Sequence, residues 1–243
     1  MSENNLQQLN SEGETTEPAS PKRKKFSKVI DIFLWVIIAV LAVAVLVRLF
    51  AFTQITVSGE SMTSDYYNTE GAEHYNPELT FHDHEVVNIT KLKTPKRGDV
   101  VVFYKNDVTS KFLDLFSSKN EDEDGKYAKR FKRVVAIAGD KLWVEKVDGV
   151  ENTYTVLVET SDGTLLREDY YTHNGEVLDK EAFYITEVAA SGLGILAQHI
   201  GKSNALVIEK NYIFAMGDNR ANSSDSRSFG AVPLSRLFGV VMV

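Results

Sequence analysis

There is no cysteine anywhere in the 243 residues, which excludes disulfide bridges, a cysteine nucleophile and thiolate metal sites. A surplus of positive charge is missing as well. Lys and Arg number 27 against 34 Asp and Glu, a net of −7, whereas a nucleic-acid partner calls for a basic face. No internal repeat is visible, and the G-x-S-x-G elbow of α/β hydrolases does not occur. The five histidines, His74, His82, His84, His173 and His199, stand in no recognisable triad context. What is left is chemistry by hydroxyl, carboxylate and amine groups.

Three compositional zones follow one another. Residues 1–21 are polar with almost nothing to bury and read as a disordered tail. Lys22, Arg23, Lys24, Lys25 and Lys28 then form a basic cluster. From Val29 to Phe52 the chain is apolar apart from Asp31 and Arg48, near opposite ends. As a helix this stretch spans roughly 36 Å, enough for a tilted bilayer crossing. A buried helix of a soluble protein is rarely so long. A cleaved signal peptide does not fit either: a polar tail precedes the run, and Arg48 stands where a small-residue cleavage site belongs. We therefore expect a cytoplasmic tail over 1–28, a single anchor in the lipid bilayer over 29–52 and an extracytoplasmic domain over 53–243, oriented by the positive-inside rule.

Period-two patterns dominate the part after the anchor. Strands are expected at 54–58, 85–91, 99–105, 130–138, 141–147, 153–159, 182–187, 206–216 and 237–243. Asp148-Gly149, Ser161-Asp162-Gly163 and Asn174-Gly175 mark turns, the last a strong hairpin signal. Only 187–201 reads as helical, and Gly192 and Gly194 weaken it. The acidic run Glu121–Asp124 is expected in a solvated loop. The fold class is mainly β with one N-terminal transmembrane helix.

A serine stands where the strand ending at Ser58 breaks: Ser58-Gly59-Glu60-Ser61. Its hydroxyl is a weak nucleophile until a base takes its proton. His82 and His84 flank Asp83, a conceivable metal site, but no second ligand cluster completes it, and no metal or cofactor is expected. A lysine serves as base only where burial lowers its pKa. In "KRFKRVVAIAGD", Lys132 alternates with Val134 and Ala136 and so shares their face of a strand. The alternative is a basic edge strand with solvated ammonium groups. Residues 216–233 crowd Asp218, Asn219, Arg220, Asn222, Ser223, Ser224, Asp225 and Arg227 into a short span. That density suits a buried network in which arginines grip carboxylates.

These segments together resemble a bacterial type I signal peptidase. Gly59-x-Ser61-Met62 is similar to the nucleophile box, and Arg97–Phe103 to the second box. Lys132–Ala136 with Gly139-Asp140 is similar to the lysine box, and Gly217–Arg220 with Asn222–Arg227 and Gly230-x-Val232-Pro233 to the last. The resemblance implies a Ser–Lys endopeptidase that cleaves exported preproteins after small-x-small residues. Carried over, Ser61 is the nucleophile and Lys132 the base, while Lys129 is a decoy. The Ser61 N–H contributes to the oxyanion hole, with Gly59 where some relatives place a serine. Ser223 orients Lys132, and Asp218, Asn219, Arg220, Asp225 and Arg227 support the wall. Val57, Ser58, Met62 and Val134 are expected to touch substrate.

One departure stands beside the nucleophile: residues 64–76 read as an insertion, either a passive flap or a lid. The span 147–181 also looks expanded. Two other functions stay open. One is a non-catalytic or narrow-specificity relative that binds exported or pilin-like precursors during assembly; the other is a self-cleaving regulator with a related Ser–Lys site.

Overall fold

The computed structural model describes residues 21–64, 80–106, 128–167, 172–173, 176–177 and 187–242. The insertion at 64–76, Ser64 apart, lies outside these residues, as do Glu121–Asp124 and the expected strand positions 182–186. Contacts divide the chain into residues 1–46 and residues 47–243. The helix α1 runs from Pro21 to Ala51, so the basic cluster expected in the tail forms its first turns. Proline is favoured at a helix start, and lysine and arginine are good helix formers. Lys28–Arg48 has a mean hydropathy of 3.0 and none of it is buried, so by length and composition this helix is able to cross a bilayer.

The rest is built from strands β1 (Phe52–Thr56), β2 (Val86–Thr90), β3 (Val100–Tyr104), β4 (Lys129–Ile137), β5 (Lys141–Lys146), β6 (Thr153–Glu159), β7 (Leu165–Arg167), β8 (Thr172–His173), β9 (Glu176–Val177), β10 (Glu187–Ala189), β11 (Leu206–Val207), β12 (Tyr212–Met216), β13 (Val232–Pro233) and β14 (Leu237–Val241). One antiparallel sheet has the order β1-β2-β14-β3-β4-β12-β13. A second has the order β10-β6-β5-β11, with β7 also against β6. β8 and β9 pair as the hairpin expected around Asn174-Gly175.

The strand β3 explains the first sheet. All five of its residues are buried. Val100, Val102 and Tyr104 enter a core with Ile55, Val57 and Phe131, while Val101 and Phe103 enter another with Val134 and Val240. A strand covered on both faces reads as an unbroken apolar run. A third core joins β4 and β12 to β5 and β6 through Val135, Phe214, Val144 and Val156.

Two expectations change. The strand read at 206–216 is two strands in different sheets, because the chain turns between them: the Tyr212 N–H donates to the Glu209 carbonyl and Asn211 has φ +67°. The helix read at 187–201 is a short strand followed by 3-10 turns at Ala190–Gly192 and Gly194–Gln198. Gly194 has φ +55°, which breaks any continuous helix there.

Gly194 also lies against another backbone. A Cβ there would come well inside van der Waals contact with the Arg227 carbonyl oxygen. Gly194→Ala is expected to cost about 3 kcal/mol from overpacking and left-handed strain together. A shift in the denaturant midpoint of the solubilised protein measures it; an unchanged midpoint contradicts the tight packing of this turn.

Candidate active site

Ser61 lies on the turn that follows β1 and is partly exposed. The turn is pinned from two sides. On one, the Gly59 N–H donates to Asp83 Oδ1 (2.7 Å) and the His84 N–H to the Val57 carbonyl (2.9 Å). Gly59 has φ +82°, a conformation that favours glycine. On the other, the Asn219 N–H donates to the Ser61 carbonyl and Asn219 Nδ2 to the Glu60 carbonyl, both at 3.2 Å. Gly217 completes this wall, since a Cβ there would collide with Ser223 Oγ and the Ser61 carbonyl.

The partner comes from β4. Lys132 Nζ lies 2.5 Å from Ser61 Oγ and donates to the Phe131 carbonyl at 2.7 Å. The lysine is only 3% exposed. Burial, which penalises the ammonium, is the main cause that lowers its pKa; Asp225 and Asp218 oppose it, Arg130 and Arg227 assist it, and the net value is about 8. An amine with a pKa of about 8 has an appreciable neutral fraction around physiological pH, and a neutral amine against a hydroxyl is what proton abstraction needs.

Its place on the strand follows from pairing. Lys132 is opposite Val101 of β3, and Val101 shares a core with Val134, as the period-two reading expects. Ala136 does not share that face. The β4–β12 register shifts at Val135, so Val135 and Ala136 both enter the third core. Lys129 points elsewhere, with Nζ 4.7 Å from the centre of the Phe238 ring.

The polar run after β12 is a buried network, as its composition predicts. Arg133 grips Asp218 through two bonds (2.9 and 2.7 Å) and donates to the Gly98 carbonyl at 2.9 Å. Arg227 grips Asp225 likewise (2.9 and 2.8 Å). Asp225 also accepts the Gly217 N–H at 3.0 Å. Burial alone would raise the Asp225 pKa, but the hydrogen bonds and charge of Arg227 and the Gly217 N–H outweigh it, and the net shift is downward. Arg220 Nε closes on the Gly217 carbonyl at 2.9 Å.

Ser223 departs from its expected place. Its Oγ is buried and makes no hydrogen bond to Lys132, which donates to the Phe131 carbonyl instead; Ser223 acts on Asp225 and helps to lower that carboxyl's pKa. The substrate-contact expectation changes too. A cavity of about 230 Å³ beside Ser61 and Lys132 is lined by Ile55, Thr56, Ser58, Val102, Lys105 and Ala128–Phe131. Only Ser58 of the four residues expected there lines it. Val57, Met62 and Val134 are at most 3% exposed and belong to the core. On a strand, neighbours point to opposite faces, so Thr56 and Ser58 bracket the core residue Val57.

The cavity lies where sheet pairing stops. Among the described residues, β1 has a strand neighbour on one side only and β12 joins β4 only from Arg133 onward, so there Lys129–Lys132 are flanked by β3 alone. Both edges line the same space. An extended peptide fits such a gap by strand addition.

A family model described as "Signal peptidase, peptidase S26" matches residues 29–243. The chain belongs to the signal peptidase family. It is thereby a serine endopeptidase of a family that removes signal peptides. It is 30% identical over 215 residues to signal peptidase IB of Staphylococcus aureus (strain COL), covering 87% of each chain. Signal peptidase I of Aquifex aeolicus (strain VF5) is 28% identical over 186 residues, 69% of this chain and 70% of that one. A crystal structure of a signal peptidase I from Enterococcus faecalis V583 aligns at a TM-score of 0.33 with 22% identity, over 63% of this chain and 100% of that chain.

Two supports of this peptidase's site escaped the motif reading. Asp83 anchors the Gly59 N–H and lies 3.0 Å from His84 Nδ1; flanking histidines made it look like a ligand. Arg97 clasps Asp140 (2.6 and 2.9 Å), tying the turn before β3 to the end of β4. Both residues were visible in the boxes, but which arginine meets which aspartate was not. Asp218→Asn, which leaves Arg133 buried beside a neutral partner, is expected to cost about 3–5 kcal/mol. Chemical denaturation of the solubilised variant checks this; a loss below about 1 kcal/mol would show a solvated pair.

Proposed function

We propose that the protein is a membrane-bound signal peptidase in which Ser61 is the nucleophile and Lys132 the general base. The observation that carries this reading is the 2.5 Å approach of Ser61 Oγ to a lysine amine whose pKa burial has lowered to about 8. The same approach favours catalysis over a non-catalytic binder. A neutral Lys132 takes the Ser61 proton as Oγ attacks the scissile carbonyl. The tetrahedral oxyanion is stabilised by the Ser61 N–H, for which no acceptor stands among the described residues. Lys132 returns the proton to the leaving amine, and then activates water against the acyl-enzyme. Asp218, Asn219, Arg220, Asp225 and Arg227 hold the wall behind Ser61.

The substrates are exported preproteins, with the cut after small-x-small residues. In an extended peptide, residues one and three before the bond lie on the same face about 7 Å apart. The cavity beside Ser61, about 230 Å³ in all, accommodates small side chains there.

Ser61→Ala and Lys132→Arg are each expected to lower preprotein cleavage by at least about a thousandfold, since a guanidinium stays protonated. The wild-type rate should rise with pH through an apparent pKa near 8, because the active form is the deprotonated amine. A Lys132→Arg enzyme that retains activity, or a profile flat between pH 7 and 9, would remove the general-base role.

The catalytic part is proposed to lie outside the cytoplasmic membrane, with the N-terminus inside, because the basic cluster precedes the apolar span. Protease added to intact cells should degrade residues 53–243 and spare the tail. Protection of the catalytic part would reverse this orientation.

A further inference from the structure

The wall of the cleft is basic, although the chain is acidic. Among the described residues, the lining includes Lys105, Lys129, Arg130 and Lys132 but no carboxylate, although the whole chain carries 34 Asp and Glu. Such an imbalance in a concave site focuses potential on whatever enters it.

Strand pairing orders these cations. Arg130 is opposite Phe103 and Lys132 opposite Val101, so both side chains share one face of β3 and β4. One step further, the Lys105 N–H donates to the Ala128 carbonyl at 2.7 Å, which puts Lys105 on that face too. Ala128 contributes only a methyl group and leaves the exposed Lys105 open to the cleft. Lys129 takes the opposite face, over the Tyr104 and Phe238 rings. Strand rise therefore sets Arg130 about 7 Å and Lys105 about 13 Å from Lys132.

The Arg130 guanidinium is oriented. NH1 donates to the Ser224 carbonyl at 2.8 Å, and the group stacks over Phe229 at 5.2 Å. This uses one of its five N–H donors. Asp225 acts on Arg130 through its field, but no ion pair joins a carboxylate to Arg130 or Lys105 among the described residues.

We propose that Arg130 and Lys105 form a subsite for a carboxylate side chain of the substrate, two to four residues from the bond that is cut. The assignment rests on the peptidase reading above, because a bound strand beside β4 keeps the same rise per residue and meets the two cations at those positions. It adds a charge preference to the small-residue requirement.

The test uses the full-length, detergent-solubilised protein and internally quenched peptides with small residues at the first and third positions before the cut. Glu and Gln are exchanged at each position two to four residues from the bond, on either side. At low salt one position should favour Glu about three- to tenfold in kcat/KM, as expected for charges in a partly desolvated cleft. The preference should shrink as salt is raised. In Lys105→Gln with Arg130→Gln the Glu:Gln ratio should approach one, and Lys105→Glu should shift it towards peptides carrying Lys. Because each readout is a ratio within one enzyme, a general loss of activity does not mimic it.

Equal rates for Glu and Gln at every position, or a preference that survives the double variant, overturns the subsite and leaves the peptidase reading intact. A loss shared by Glu and Gln peptides, and seen only when phosphatidylglycerol is added to the micelles, assigns the cations to a lipid surface and also overturns it. Ser61→Ala as active as wild type would remove both readings. Should Arg130→Gln fail to fold, Lys105→Gln and the salt dependence still decide.

Discussion

Everything around the site depends on keeping one lysine out of water. An ammonium on a surface strand is strongly hydrated and holds its proton far above neutral pH. At 3% exposure Lys132 loses that hydration, and the charged form loses its advantage. The burial is produced by β3 and β4, whose pairing places Lys132 opposite Val101, which shares a core with Phe103 and Val134. Arginines on either side add to the effect, and two aspartates limit it. The balance leaves an amine that is able to exchange a proton with a serine hydroxyl.

The two aspartates would be harmful to that balance if their charge were unpaired. Each is locked to an arginine instead, Asp218 to Arg133 and Asp225 to Arg227, so their fields are largely spent locally. Buried pairs of this kind add little net stability, yet they specify geometry because a misplaced partner leaves a bare charge. Here they position Gly217 and Asn219, which in turn hold the backbone of Glu60 and Ser61. The network is the mould against which the nucleophile turn is set.

Much of this was legible residue by residue. The unbroken run "VVVFY" announced a strand covered on both faces, and the density of arginine and aspartate after Met216 announced a buried network. The expected orienting role of Ser223 failed, because no local pattern tells which of several nearby oxygens reaches an amine; the Phe131 carbonyl does. Val57, Met62 and Val134 sit near functional residues in sequence but face the core, and the cleft is lined by Thr56, Ser58, Ser61 and Lys132 instead. The bulge at Val135, which separates Ala136 from Val134, is equally silent in the sequence, since any apolar residue fits either side of it.

By itself, then, the sequence determined what depends on short-range pattern: an apolar span preceded by basic residues, alternating strands, a turn carrying Ser61 and a lysine beside a buried run. Composition and period carry those features because they reflect burial and backbone geometry within a few residues. Only the tertiary structure decided that Lys132 and Ser61, 71 positions apart, approach within 2.5 Å. It also decided which arginine clasps which aspartate, and that the edge of β1 and the first half of β4 border one cleft. Those choices are made by long-range sheet pairing and by the matching of buried charges, interactions whose partners lie too far apart along the chain for any local pattern to name.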